Sequence, residues 1–277
     1  MGFGKTSTYR IGEKEKMKET NGILWEIDEN KILRIAKAEG GNGKIPVTAS
    51  SDSKIEYSEE GYETTVFTYD GTYNKPWTYE EQSEVIEVVI EEGITEITYG
   101  TFSNFSNLKK VTIPSSVGFI GGCAFRGCEN LEEINLPEGI GSIKEETFLS
   151  CHKLSNIVIP QSVKSIDKSA FEHCYGIENI ELPEGLVYIG ENAFSFCSGL
   201  KTITIPDSVN NIGRDAFKPC ESLRKAYLPA DKIDTFKIAF DTKTGSYKNP
   251  DGSIYVYGTT LCCKSIFSKL FGNKKRK

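Results

Sequence analysis

The stretch CAFRGCENLEEINLP, residues 123–137, decides the fold, because its landmark residues return on a fixed ruler. Cys128 is followed by Cys151, Cys174, Cys197 and Cys220, each step being 23 residues. Phe125 belongs to a run of seven from Phe102 to Phe240, and Pro137 to a run of six from Pro114 to Pro229, in the same step. Ile97, Ile120, Ile143, Ile166, Ile189 and Ile212 keep step as well. A period of this size marks a solenoid, in which a single repeat cannot bury its apolar side alone and packs on its neighbours.

One unit, residues 154–176, reads LSNIVIPQSVKSIDKSAFEHCYG. LSNIVIP alternates as a short strand does, and its proline closes the strand by removing a backbone donor. SVKSI predicts a second extended segment, and DKSAF a short helical turn capped by Asp167. Stacked about 4.8 Å apart, the strands form a parallel sheet, and seven coils span on the order of 30 Å. The expected fold class is therefore α/β: a solenoid of 23-residue coils with short parallel strands and short helical turns, preceded by a β-rich N-terminal cap.

Five cysteines on one ruler could be ligands, disulfide partners, nucleophiles or packing. The same position carries Phe105 in the first full coil and Lys243 in the last, degenerate one. A site that accepts Phe behaves as a packing site, and free Cys packs as a small hydrophobe. Disulfides along the ladder would leave one of the five unpaired. Zinc needs about four converging ligands, whereas His152 beside Cys151 and His173 beside Cys174 point away from their neighbours in extended chain. The reading is surface histidines beside core thiols, with no metal and no cofactor. Two histidines, no G-x-S-x-G and no carboxylate pair tied to a cleft argue against an enzyme.

The net charge of −6 is unevenly spread: residues 264–277 carry six basic residues and no acids, residues 1–22 carry +2, and the body between them about −14. An acidic body argues against nucleic-acid binding, which needs a basic face for phosphates. No apolar run reaches the roughly 18 residues of a bilayer-crossing helix. The start, MGFGKTSTYRIGEKEKMKET, lacks the apolar stretch of a secretory signal, so a cytoplasmic location is expected.

The repeats resemble the BspA-like, or Treponema pallidum type, leucine-rich repeat family. Its pattern of IP, then V..I, then AF..C..L is matched by IPSSVGFIGGCAFRGCENL and by the coils that follow, over roughly residues 85–240. GILWEIDENKILRI, KPW and VIEVVIEEGITEI look like the lead-in segment found before such repeats. The resemblance implies a horseshoe-like solenoid that binds other macromolecules. Relatives are commonly surface or secreted adhesion proteins of bacteria and protists.

The chain divides into a disordered tail (1–21), a β-rich cap (22–84), the repeats (85–240), a C-terminal cap (241–260) and a basic amphipathic tail (261–277). In the first cap, ILWEI and KILRI around DEN predict a hairpin. EGGNGKIP lacks the P-loop spacing and reads as a turn. In the second cap, NPDGSIYVYG predicts a turn and a strand over the open end. In LCCKSIFSKLFGNKKRK, Cys263, Ile266, Phe267 and Leu270 share one helical face, which could lie on an anionic membrane surface. An end cap or an unstructured tail is the competing reading. MGFGKT with Gly2 and Thr6, and the pair Cys262–Cys263, fit acylation patterns.

Outward strand positions alternate with buried ones. Lys110 and Thr112, Glu133 and Asn135, Asn156 and Val158, Asn179 and Glu181, Thr202 and Thr204, and Lys225 and Tyr227 should therefore share a polar face, the candidate binding face. The function expected is a non-catalytic scaffold that binds an unknown protein or surface ligand. The alternative is a membrane-tethered or surface adhesion-type protein whose repeats act as spacer or adhesin, with peripheral membrane contact through residues 261–277.

Overall fold

The computed structural model describes residues 17–45, 48–49, 53–57, 63–67, 73–229, 231–240, 246–248, 254–256 and 259–263. Successive coils join through three ladders. The first uses the segment before each proline: Ile32–Lys37, Glu87–Ile90, Lys110–Thr112 and Glu133–Ile134 run parallel in that order, and Thr202–Thr204 pairs with Lys225–Leu228 further on. The register follows the ruler, with Lys110 opposite Glu133 and Thr202 opposite Lys225. The second ladder is the predicted second extended segment. Ser142–Ile143, Ser165–Ile166, Tyr188–Ile189 and Asn211–Ile212 run parallel, each 23 residues from the last.

The third ladder departs from expectation. Where a short helical turn was predicted, each coil from residue 100 to 220 has consecutive hydrogen-bonded turns. Two positions per coil take left-handed backbone angles: Cys123, Glu146, Ser169, Asn192 and Asp215 at φ 53–56°, and Asn104, Ser150, His173 and Phe196 at φ 59–62°. A helix cannot continue through such a residue. It turns alternate amides along the stacking direction instead, so Phe125 N–H donates to Thr147 O at 2.9 Å and Phe148 N–H to Ala170 O at 2.8 Å. Gly127 fills one such position at φ 71°. The Asp167 carbonyl, not its side chain, accepts the Ala170 N–H, and its carboxylate lies 3.7 Å from Lys144. Helix among the described residues is confined to the ends: Tyr79–Glu84, Ile233–Phe236 and the 3-10 turn Lys237–Ala239.

Identical positions stack inside. The rings of Phe102, Phe125, Phe148, Phe171, Phe194, Phe217 and Phe240 are buried and near parallel, with centroids 5.0–5.6 Å apart. Trp77 continues the stack below Phe102 at 5.7 Å, and Trp25 closes it edge-on at 6.0 Å. Beside the rings, Cys128, Cys151, Cys174 and Cys197 are fully buried and free, with Cys220 half-buried at the far end. Each thiol donates to the carbonyl of the phenylalanine 26 residues earlier, from Cys128 Sγ to Phe102 O at 3.2 Å up to Cys220 Sγ to Phe194 O at 3.1 Å. The cysteine position is thus packing with one added task, a second hydrogen bond to a carbonyl that already accepts a backbone amide, as Phe148 O does from Cys151 N–H at 3.1 Å. Lys243 lies outside the described residues.

Both ends are covered by strands that cross the boundaries read from the sequence. Lys18–Thr20, assigned to the tail, is a strand antiparallel to Ile23–Ile27, which forms the predicted hairpin with Ile32–Lys37. At the other end Thr259–Cys263 pairs in parallel with Lys225–Leu228 and antiparallel with Ile254–Val256. Cys262 and Cys263 therefore belong to a strand, and Cys263 does not begin a helical face. Its pairing partners supply backbone bonds that a short isolated helix would lack. Gly2, Thr6 and residues 264–277 lie outside the described residues.

Candidate functional site

The alternation that buries Val111, Ile134, Ile157, Ile180 and Ile203 turns the predicted residues outward in two columns. One column is Lys110, Glu133, Asn156, Asn179, Thr202 and Lys225, all exposed. The other is Thr112, Asn135, Val158, Glu181 and Thr204, exposed, and Tyr227, half-buried. The backbone register of the columns continues into the caps, which the sequence reading missed: Glu87 and Val89 pair with Lys110 and Thr112, and Thr260 and Cys262 with Lys225 and Tyr227.

Two of the predicted residues are committed to the frame. Lys110 pairs with Glu87 at 3.3 Å. The Asn135 side chain accepts from Ile113 N–H at 2.9 Å and donates to Ile113 O at 2.7 Å, standing in for the strand that would otherwise pair there.

Past this point the first ladder opens. Residues 156–159 and 179–182 keep the in-out alternation but form no strand pairs. The inward edges of Glu133–Ile134 and Thr202–Thr204 therefore face two extended coils whose spacing is held by the buried stack and by bonds such as Lys201 N–H to Glu178 O at 3.1 Å. A groove of about 460 Å³ lies at this opening. It gathers four predicted residues, Asn179, Glu181, Thr202 and Thr204, with Glu184 and an apolar floor of Ile180, Leu182 and Pro206. Val158, one coil away, is 79% exposed, the highest value for a large apolar side chain among the described residues.

A second depression, about 520 Å³, joins two more predicted residues, Glu133 and Asn156, to Glu132, Lys153, Ser155, His152 and Tyr175. Tyr175 stacks on His152 at 4.8 Å, and its hydroxyl shares a hydrogen bond with His173 Nδ1 at 3.0 Å. His173 in turn stacks on Phe196 at 4.4 Å. Sequence reasoning placed the two histidines on the surface but missed the cluster, although its signal was present: 152 and 175, and 173 and 196, are each 23 apart.

The most strongly shifted groups among the described residues are buried in the frame. Burial pushes the thiols up, to about 12 for Cys128 and Cys220 and to about 11 for Cys123, so they stay protonated and unreactive near neutrality. Burial also lowers Lys75 to about 8, but its ammonium is held by Gln82 Oε1, Ser103 O and Ser103 Oγ at the covered end of the stack and lines neither of the two grooves above. Among the described residues no three His, Cys, Asp or Glu side chains are grouped to hold a metal ion, and no helix is long and apolar enough to cross a membrane.

Comparison with known proteins agrees with the repeat. The model of the BspA type leucine-rich repeat region matches in six copies, over residues 75–186 and 164–249. No curated protein matches the chain. Among solved structures, a leucine-rich cell surface protein of Faecalibacterium prausnitzii is 22% identical, covering 90% of this chain and 61% of that one, with a TM-score of 0.49. The T. pallidum leucine-rich repeat protein is 21% identical, covering 78% and 73%, at 0.39. A leucine-rich repeat protein of Bacteroides ovatus is 20% identical, covering 76% and 65%, at 0.29. The chain thus spans 61% of the length of the first of these.

Proposed function

The chain belongs to the BspA type of leucine-rich repeat proteins, and we propose that it is a non-catalytic scaffold that captures a protein partner on its strand face. Repeats of this family are generally binding scaffolds. The observation that carries the proposal is the opening in the first ladder. An unbroken ladder offers a partner a flat polar surface. Here the groove lined by Asn179, Glu181, Thr202 and Thr204 has an apolar floor, and Val158 stands exposed beside it. An apolar centre with a polar rim is the anatomy of a recognition patch.

Photo-crosslinking in the cells that make the chain tests this. A crosslinking residue placed at Val158 or at Thr204 should give one discrete protein adduct, absent when the same residue replaces the exposed Glu145 on the turn side. Equal adducts from all three positions, or none from Val158 and Thr204, would overturn the proposal. The placement we propose is cytoplasmic, with residues 264–277 touching an anionic membrane surface. It is supported by the six basic residues and absence of acids in that segment.

A further inference from the structure

We infer that the depression beside Tyr175 is a binding site for a neutral carbohydrate, separate from the groove proposed for a protein partner. The first support is a fixed and exposed ring. Tyr175 is 42% exposed, yet it is stacked on His152, met edge-on by His173 at 5.7 Å, and tethered to His173 through its hydroxyl. A ring held this way loses little freedom when a ligand lies on it.

The second support is the backbone. His173 and Phe196 sit at φ 62° and 59°, a conformation that the equivalent positions meet with Asn104, Gly127 and Ser150. Asn, Gly and His favour that conformation, whereas Phe is uncommon in it, so Phe196 is the outlier of the series. In these two coils that backbone projects rings outward, where Phe196 remains 41% exposed. The result is a row of four aromatic rings in contact, of which His152 and Tyr175 line the depression while His173 and Phe196 back Tyr175, and the row holds both histidines of the chain.

The lining then selects the ligand class. Glu132 and Glu133 offer only acceptors, Lys153 only donors, and Asn156, Ser155 and His152 offer both. A cation would meet Lys153, and an anion would meet two carboxylates. A ligand whose groups each donate and accept satisfies all of them, and a ring of hydroxyls with an apolar C–H face does so while covering Tyr175. About 520 Å³ is the scale of a small-molecule site. The depression is shallow and widely open, which suits a sugar within a chain as well as a terminal one.

Affinity electrophoresis of the full chain through gels containing starch, mixed-linkage β-glucan, galactomannan or mannan, with calorimetry on chitin and cellulose oligosaccharides, tests this. At least one neutral glycan should retard or bind the native chain. Tyr175→Ala should weaken that binding at least tenfold and Glu133→Gln several-fold, whereas Tyr175→Phe should keep most of it because the platform survives. Thr204→Arg, across the face, should leave it unchanged, and it separates this site from the protein groove. All variants are checked for the native circular dichroism spectrum. No binding to any member of the panel, binding indifferent to Tyr175→Ala, or tighter binding of hexa-arginine or a sulfated oligosaccharide than of any neutral glycan would overturn the assignment.

Discussion

Raising the pH from about 7.5 to about 10 is expected to remove a large part of this protein's stability, and the thiol ladder is the reason. Cys128, Cys151, Cys174 and Cys197 are fully buried, and burial holds each thiol well above its ordinary range. In the unfolded chain the same groups ionise near pH 8.5. A thiol whose folded value is raised keeps its proton in the fold and loses it when unfolded. Its stabilising contribution is therefore fully present below about pH 8.5 and is lost as the pH rises toward the folded value. Each group then costs about 1.4 kcal/mol per pH unit, or about 2 kcal/mol at pH 10. Four give about 8 kcal/mol, against a typical domain stability of about 5–15 kcal/mol. Cys220, half-buried at the open end, adds a smaller share.

The measurement is urea unfolding followed by circular dichroism across this pH range, with a reductant present throughout. Cys174→Ala should be less stable than the native chain near neutrality, because it leaves a small cavity and removes one of the two hydrogen bonds that the Phe148 carbonyl accepts, the Cys151 N–H remaining. Its stability should nevertheless fall more gently with pH, the slope being shallower by about one proton. The two curves should converge by about pH 10. Parallel curves would refute the reasoning, since they would mean that Cys174 does not hold its proton in the fold.

Two further perturbations report on other parts of the molecule. Lys75, lowered to about 8 by burial, has the opposite sign: its charged form is disfavoured in the fold, so stability returns as the pH rises from about 8 toward the unfolded value near 10.4. The difference in unfolding free energy between the native chain and Lys75→Met, measured by the same urea titration, should therefore move by about 2 kcal/mol in favour of the native chain between about pH 7.5 and about pH 10. For placement, the full chain should be recovered with membranes on cell fractionation and a chain ending at Cys263 should be soluble, so soluble recovery of both would remove the membrane segment from the proposal.

What the sequence made legible is what the 23-residue period controls. The Phe102–Phe240 stack, the burial of the thiols, the parallel register of Lys110 with Glu133 and the outward turn of the two columns all follow from identical positions lying one above another. What it hid depends on how neighbouring coils share hydrogen bonds. DKSAF looks helical when read alone, because local propensity counts only bonds within the segment. In the stack its amides are drawn to the next coil, and left-handed residues such as Ser169 and His173 make that possible. The opening at residues 156–159 and 179–182 carries no mark in composition, since LSNIVIP alternates as well as the segments that do pair. Just before it, the side chain of Asn135 has taken the backbone groups of Ile113 in the preceding coil.

The aromatic row stands between these cases, and it shows how a repeat can be read on its outer surface. Searching the period only for core residues picks out Phe171 and Phe194 and passes over His173 and Phe196, two positions further on. Yet the rule that brings the first pair to 5.2 Å brings the second to 4.4 Å, because the step that stacks one inward position must stack every other position of the coil. Inside, such stacks are explained by the water they exclude. Outside, Tyr175 and Phe196 remain 42% and 41% exposed although each stacks on a histidine, so burial accounts for only part of their apolar area. A ligand lying on the row would supply the missing burial, and that is why these four rings, rather than the more numerous polar positions of the strand face, are the sharper signal of a binding site.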